Sequence, residues 1–218
     1  MIDKPFSESC VQNREPILAV LREVFADCRQ VLEIGSGTGQ HAVYFGAALP
    51  HLVWQSADVP PHHAGIRAWL DEAALPNVRL PIALDVSQAG WRSGRYDAVF
   101  SANTLHIMGW PEVEAFFEGV GEVLRKGRCA AAGPPPAYPS RVLEAGGVLA
   151  VYGPFNTNGA FTSESNARFD AWLKARDPAS GVRDFEAVDA LARAQGLVLR
   201  QDIAMPANNR TLVWRRTG

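Results

Sequence analysis

An acid and three glycines at alternate positions are the residues best suited to chemistry in this chain: Val31-Leu32-Glu33-Ile34-Gly35-Ser36-Gly37-Thr38-Gly39-Gln40-His41. Glycines at this spacing let the backbone turn sharply and leave room for a ligand where a Cβ would collide. A helix opening at about Gln40 presents free N–H groups and the positive end of its dipole, which suit a carboxylate or a phosphate. The dinucleotide fingerprint needs G-x-G-x-x-G. Here Gln40 stands in the place of the third glycine, which argues against NAD.

Other candidates lie at the ends of apolar runs. Asp58 closes Leu52–Ala57 and either accepts both ribose hydroxyls of a nucleoside or caps the turn before Pro60-Pro61. Asp85, followed by Val86, ends the run Val78–Leu84 and is either a ligand contact or a loop aspartate. Asn103 and His106 follow Tyr96–Ser101. Asn103 can hydrogen-bond a ligand. His106 is either a general base, with an ordinary pKa near neutrality, or a packed histidine bonded to backbone. Asn13, Arg14 and Glu15 precede a helix, either as its polar lead-in or as residues reaching over the ligand mouth. His62 and His63 are adjacent on a helix and point to different faces, so they make a poor joint metal pair and read as surface residues.

The elements that must hold these residues alternate. Val31–Ile34 reads as a buried parallel strand, and strands follow at Leu52–Ala57, Val78–Leu84 and Tyr96–Ser101. Residues 1–13 read as irregular, with Pro16 in the first turn of a helix whose apolar face is Ile17, Leu18, Leu21, Val24 and Phe25. Helices also follow from Gln40, from His62 and from Pro111. Past the last of these, Leu124–Ala132 and Leu143–Val151 each echo a glycine turn entering a strand. Val148–Tyr152 is the better buried strand. The earlier copy, with Pro134-Pro135-Pro136, then becomes a surface insertion over residues 126–146. Thr162 or Ser163 caps a helix bearing Phe169, Trp172 and Leu173, with Asn166 and Arg168 at polar positions. Asp184 caps another helix, with Phe185, Val188 and Leu191 buried. Leu197–Ala204 and Thr211–Trp214 pair across the turn residues 205–210, which include Asn208 and Asn209.

The totals exclude several classes. A chain of 218 residues with net charge −2 lacks the basic balance of a dedicated nucleic-acid binder. Arg210, Arg215 and Arg216 read as a solubilising tail. The three cysteines form no metal or redox spacing. The start of the chain lacks the basic and apolar regions of a leader, and no apolar run approaches the ~20 residues that cross a bilayer. A cytoplasmic protein without a membrane association is the expectation. The oligomeric state is not legible.

An acid two residues before Gly-x-Gly-Thr-Gly resembles motif one of class I S-adenosylmethionine-dependent methyltransferases. Asn13-Arg14-Glu15-Pro16-Ile17, Ala102-Asn103-Thr104-Leu105-His106-Ile107, Tyr152-Gly153-Pro154-Phe155, Ser165-Asn166 and Met205-Pro206-Ala207-Asn208-Asn209 are more narrowly similar to an uncharacterised methyltransferase-like family of unknown substrate. The resemblance covers nearly the whole chain and departs at residues 126–145, where that family passes directly from helix to strand. It implies a Rossmann-like α/β fold: one domain over residues 1–218, with 1–27 as an N-terminal helical cap. The sheet would have seven mostly parallel strands, a C-terminal antiparallel hairpin and helices on both faces. It implies S-adenosylmethionine as cofactor and S-adenosylhomocysteine as product. Cofactor contacts would come from Asn13, Arg14, Glu33, Gly35, Ser36, Gly37, Thr38, Gly39, His41, Asp58, Val59, Asp85, Val86 and Asn103. A small polar acceptor would meet His106, Tyr152, Phe155, Asn166, Asn208 and Asn209, with His106 as base. A non-catalytic cofactor-binding module and a nucleotide-dependent oxidoreductase are the competing classes.

Overall fold

The computed structural model describes residues 4–126 and 146–217. Residues 127–145, which hold most of the expected surface insertion, lie outside the described residues. Five parallel strands form the centre: β1 (Gln30–Ile34), β2 (Val53–Asp58), β3 (Val78–Ala83), β4 (Ala98–Ala102) and β5 (Val148–Gly153). Two short strands, β6 (Phe155–Asn156) and β7 (Arg183–Asp184), pair with each other apart from the main sheet. The chain closes with β8 (Leu197–Met205) and β9 (Asn209–Arg216), an antiparallel hairpin in which β9 also pairs antiparallel with β5. The seven-stranded order is β3-β2-β1-β4-β5-β9-β8.

Alternating side chains of the central strands feed two cores, because neighbours on a strand point to opposite faces. Leu32, Val99 and Leu149 pack under Val113, Phe116, Phe117 and Val120 of α4 (Trp110–Val123) and under Val188 and Ala192 of α6 (Phe185–Ala194). Val31, Trp54, Phe100 and Ala150 pack under α1 (Glu8–Val24), α2 (Gln40–Ala48) and α3 (His63–Ala73), through Ile17, Leu21, Phe45 and Ile66. Burial on both faces explains why β1, β4 and β5 are apolar runs rather than alternating ones. α5 (Glu164–Arg176) is capped by Ser163, whose Oγ accepts the Asn166 N–H at 3.1 Å, and Asp184 caps α6 in the same way.

Two sequence expectations are corrected. Residues 8–13 are helical, so Pro16 lies inside α1 rather than in its first turn. Proline forfeits one i→i−4 bond there, and burial of Asn13, Ile17, Leu18 and Leu21 along one face holds the helix across it. Phe185 and Leu191 are only half-buried, because α6 turns Val188, Asp189 and Ala192 inward instead. The choice of Val148 as the fifth strand's start agrees with the structure, and Gly147 N–H donates to Arg125 O at 3.0 Å beside it.

The strand order reverses between β1 and β4. From β1 the chain moves one way to β2 and β3, and β4 and β5 lie on the other side. Open parallel sheets bind ligands in the crevice at the carboxyl ends of such strands. The glycine run leaves β1 at that crevice.

Candidate functional site

The loop after β1 is tied down before it reaches the crevice. Gly35 and Ser36 N–H groups both donate to Ala57 O, at 3.0 and 3.1 Å. Ser36 Oγ donates to Glu33 Oε2 at 3.0 Å and accepts the Ala57 N–H at 3.1 Å. Gly35 and Gly39 have φ of +78° and +91°, values costly for a side-chain-bearing residue. A Cβ on Gly39 would lie 3.0 Å from the Ile66 Cα and 3.2 Å from its carbonyl oxygen, so α3 leaves it no room. Gly39→Ala is expected to destabilise the protein by about 2 kcal/mol. A chemical denaturation midpoint equal to wild type would contradict this.

Asp58, at the tip of β2, completes the loop. Its Oδ2 accepts the Gly37 N–H at 2.7 Å, and its Oδ1 accepts the Val59 N–H at 2.7 Å. His62 Nδ1 stands 2.7 Å from the same Oδ1, and His63 Nε2 is 2.9 Å from the Asp58 carbonyl oxygen. His62 is exposed, as its sequence reading expects, and His63 is half-buried. Both dock on Asp58, and His62 lines the cavity although its side chain is 54% exposed. Asp85 uses Oδ1 to accept the N–H and hydroxyl of Ser87, an Asx-type turn that aims the carboxylate.

These groups surround a cavity of about 380 Å³. Of the expected cofactor residues, Gly35, Ser36, Gly37, Thr38, His41, Asp58, Val59, Asp85, Val86 and Asn103 line it. Asn13, Arg14, Glu33 and Gly39 are not on its wall. Asn13 Oδ1 is 2.8 Å from His41 Nε2. Arg14 lies over the Tyr44 ring. Glu33 is buried beneath the loop, where Oε2 also accepts the Trp54 indole N–H at 3.0 Å. Burial pushes the Glu33 carboxyl up to about 7, with the Asp58 charge adding to the rise and the Trp54 and Ser36 bonds opposing it. Burial pushes His41 down to about 4, so its ring is neutral at pH 7.

None of the six expected acceptor residues lines this cavity. His106 is buried, edge-on to Phe169 at 5.0 Å between centroids. Burial and the nearby Arg183 charge lower its pKa to about 4. Tyr152 and Phe155 are core residues, one in each apolar cluster. Asn166 Nδ2 donates to Thr162 Oγ1 at 3.0 Å and to Asn208 O at 3.2 Å, and Asn208 Nδ2 donates to Ser165 Oγ at 3.1 Å. Asn209 Nδ2 donates to the carbonyls of Pro206 and Ala207. Asn166 and Asn208 fasten the β8–β9 turn to α5, and Asn209 braces the turn itself.

Sequence reading missed several wall residues. Ser7, Ser9 and Cys10 come from the start of α1, and Thr104, Ile107, Met108 and Glu112 from the segment between β4 and α4. The last group follows Asn103 so closely that the signal was present in its position. The α1 group lies in the stretch expected as an N-terminal cap, but which of its residues reach the cavity depends on how the helix docks.

Solved structures share this architecture. An O-methyltransferase family protein from Burkholderia thailandensis matches at 17% identity over 97% of this chain and 58% of its own, with a TM-score of 0.78. The S-adenosylmethionine-dependent methyltransferase SibL matches at 19% identity over 96% of this chain and 56% of its own, with a TM-score of 0.74. Human N-acetylserotonin methyltransferase, solved in complex with SAM, matches at 13% identity over 97% of this chain and 53% of its own, with a TM-score of 0.71. This chain therefore spans just over half the length of each. At these identities the likeness is one of fold, and the fold is that of the class I methyltransferases. A family profile described as a protein of unknown function, DUF938, matches residues 4–135 and 137–216. The chain belongs to the DUF938 family.

Proposed function

We propose that this protein is an S-adenosylmethionine-dependent methyltransferase acting on a small acceptor. The observation that carries the reading is Asp58, a carboxylate at the tip of β2 bonded to the Gly37 N–H of the loop that leaves β1. A nucleoside entering the crevice would meet that carboxylate through its ribose. Asp85 and Val86, past the end of β3, line the same cavity and suit an adenine edge and face. A Cβ on Gly37 would meet no protein atom within 4 Å, so the loop backbone faces open space that a ligand can fill. The cavity volume falls within the ~300–1,000 Å³ of ordinary small-molecule sites.

Bound S-adenosylmethionine supplies an electrophilic sulfonium methyl group, so the protein's tasks are placement and exclusion of water. Thr38 and His41 would hold the amino-acid end of the ligand, and Asn103 would lie between it and the acceptor. His106 Nδ1 and Asn103 Oδ1 lie 3.8 and 3.9 Å from the position a Cβ on Gly153 would take, so both side chains reach the end of β5. We propose the His106 ring as the base for an acceptor that reaches past Asn103; a pKa lowered to about 4 makes it a weak base, suited to an acceptor that is itself readily deprotonated.

A second reading, a non-catalytic module that binds the cofactor, is favoured by one observation: His106 is packed against Phe169 rather than open to the cavity. Incubation with methyl-labelled S-adenosylmethionine and a panel of small alcohols, amines and thiols separates the two. Labelled product with equal release of S-adenosylhomocysteine is the expected result. Tight cofactor binding without transfer to any acceptor would favour the module and count against catalysis.

A further inference from the structure

Gln40 is where the glycine run departs from the dinucleotide pattern, and its side chain does not line the cavity. It points instead to the chain before α1. Gln40 Oε1 accepts the Ser7 N–H at 2.6 Å and the Thr38 hydroxyl at 3.0 Å, and Nε2 donates to Ser7 O at 3.4 Å. Both backbone polar groups of Ser7 are thus held by one buried side chain. A second anchor lies on α3. Trp69 Nε1 donates to Pro5 O at 2.6 Å, and Pro5 packs so closely on Gly65 that a Cβ there would come within 2.5 Å of its ring. Lys4 Nζ lies 3.8 Å from the centroid of the Trp69 ring. Residues 4–10 therefore run from α3 to the start of α1, and Ser7, Ser9 and Cys10 form part of the cavity wall on the way.

We propose that Gln40 is a positioning residue that fastens residues 4–10 as a strap across the cavity, and that opening of this strap sets the rate at which ligand leaves. A segment held to the fold by side-chain bonds rather than by sheet pairing opens more readily than the sheet beneath it. The Gln40 clasp is the contact nearest the wall residues. Removing it raises the open population, and dissociation through the opened wall speeds up by the same factor. The choice of ligand rests on the methyltransferase reading, whereas the fastening of the strap does not.

The test compares wild type, Gln40→Ala and Gln40→Glu. Hydrogen exchange of the Phe6–Val11 amides is measured without ligand, and S-adenosylhomocysteine association and dissociation are followed by stopped flow. In Gln40→Ala, exchange and dissociation are each expected to rise about tenfold, the worth of one or two net hydrogen bonds. Association through the same opening is expected to rise by a similar factor, so the affinity and the unfolding midpoint stay near wild type, which separates positioning from general destabilisation. Gln40→Glu keeps the acceptor for the Ser7 N–H but loses the donor to Ser7 O, and should fall between the two. Unchanged exchange in Gln40→Ala would overturn the strap. Faster exchange with unchanged dissociation would overturn its control of release. If wild type binds no S-adenosylhomocysteine, the methyltransferase reading fails, and exchange alone decides whether Gln40 fastens the strap.

Discussion

Asp58→Ala is expected to weaken S-adenosylhomocysteine binding roughly a thousandfold, the loss of two hydrogen bonds to a charged group at about 2 kcal/mol each. The carboxylate has a double task, and both parts are lost. Its Oδ2 orients Gly37 in the loop, and the remaining acceptor capacity faces the cavity. A carboxylate offers about four lone-pair positions. Val59 and Gly37 N–H groups take two, and His62 Nδ1 lies within bonding distance of Oδ1. A ribose with both hydroxyls on Asp58 therefore needs the exposed His62 side chain to swing aside. Asp58→Asn keeps the shape and one acceptor oxygen for the Gly37 N–H, and should weaken binding about tenfold to a hundredfold. Calorimetry on both variants checks the assignment. Wild-type affinity in Asp58→Ala would remove Asp58 from the ligand site.

Glu33→Gln is expected to change how stability depends on pH. Burial raises the folded-state pKa of Glu33 from 4.5 to about 7. The folded protein therefore holds this proton more tightly than the unfolded chain does. Its contribution is fully present below pH 4.5 and is lost as pH rises through about 7. Across that window the wild type should lose about 3 kcal/mol relative to the glutamine variant, which carries no charge to bury. Glutamine also retains a carbonyl oxygen for the Ser36 hydroxyl and the Trp54 indole N–H. Urea unfolding of both proteins at pH 4.5 and pH 8 gives the comparison. A stability difference between them that does not vary with pH would show that Glu33 is not titrating as a buried acid.

The parts of the fold that were legible in the sequence are those with a local cause. The β1 run, its glycine turn and the opening of α2 depend on neighbours in the chain, and all three lie where the residues placed them. Asp58 and Asp85 were legible because each closes an apolar run, and both line the cavity. The terminal hairpin was legible from two apolar stretches around Pro206-Ala207-Asn208-Asn209. What failed depends on distant partners. Asn13 is polar, so its burial against His41 in α2 could not be read from its own helix. Asn166, Asn208 and Asn209 look like a binding rim because their amides are versatile, yet turn carbonyls and hydroxyls already occupy those donors. His62 is exposed as expected, but its bond to Asp58 could not be read, because it depends on the turn Pro60–His62 that folds it back onto β2. The wall made by Ser7, Ser9 and Cys10 exists only because α2 and α3 hold the strap in place.

The central claim is that the crevice between β1 and β4 takes an adenosyl sulfur ligand and not a dinucleotide. Calorimetric titration of the purified protein with S-adenosylhomocysteine, S-adenosylmethionine and NAD tests it most directly. The account predicts one site per chain for the first two, with affinity near micromolar, and no heat of binding for NAD. Binding of NAD alone, or of none of the three, would contradict it.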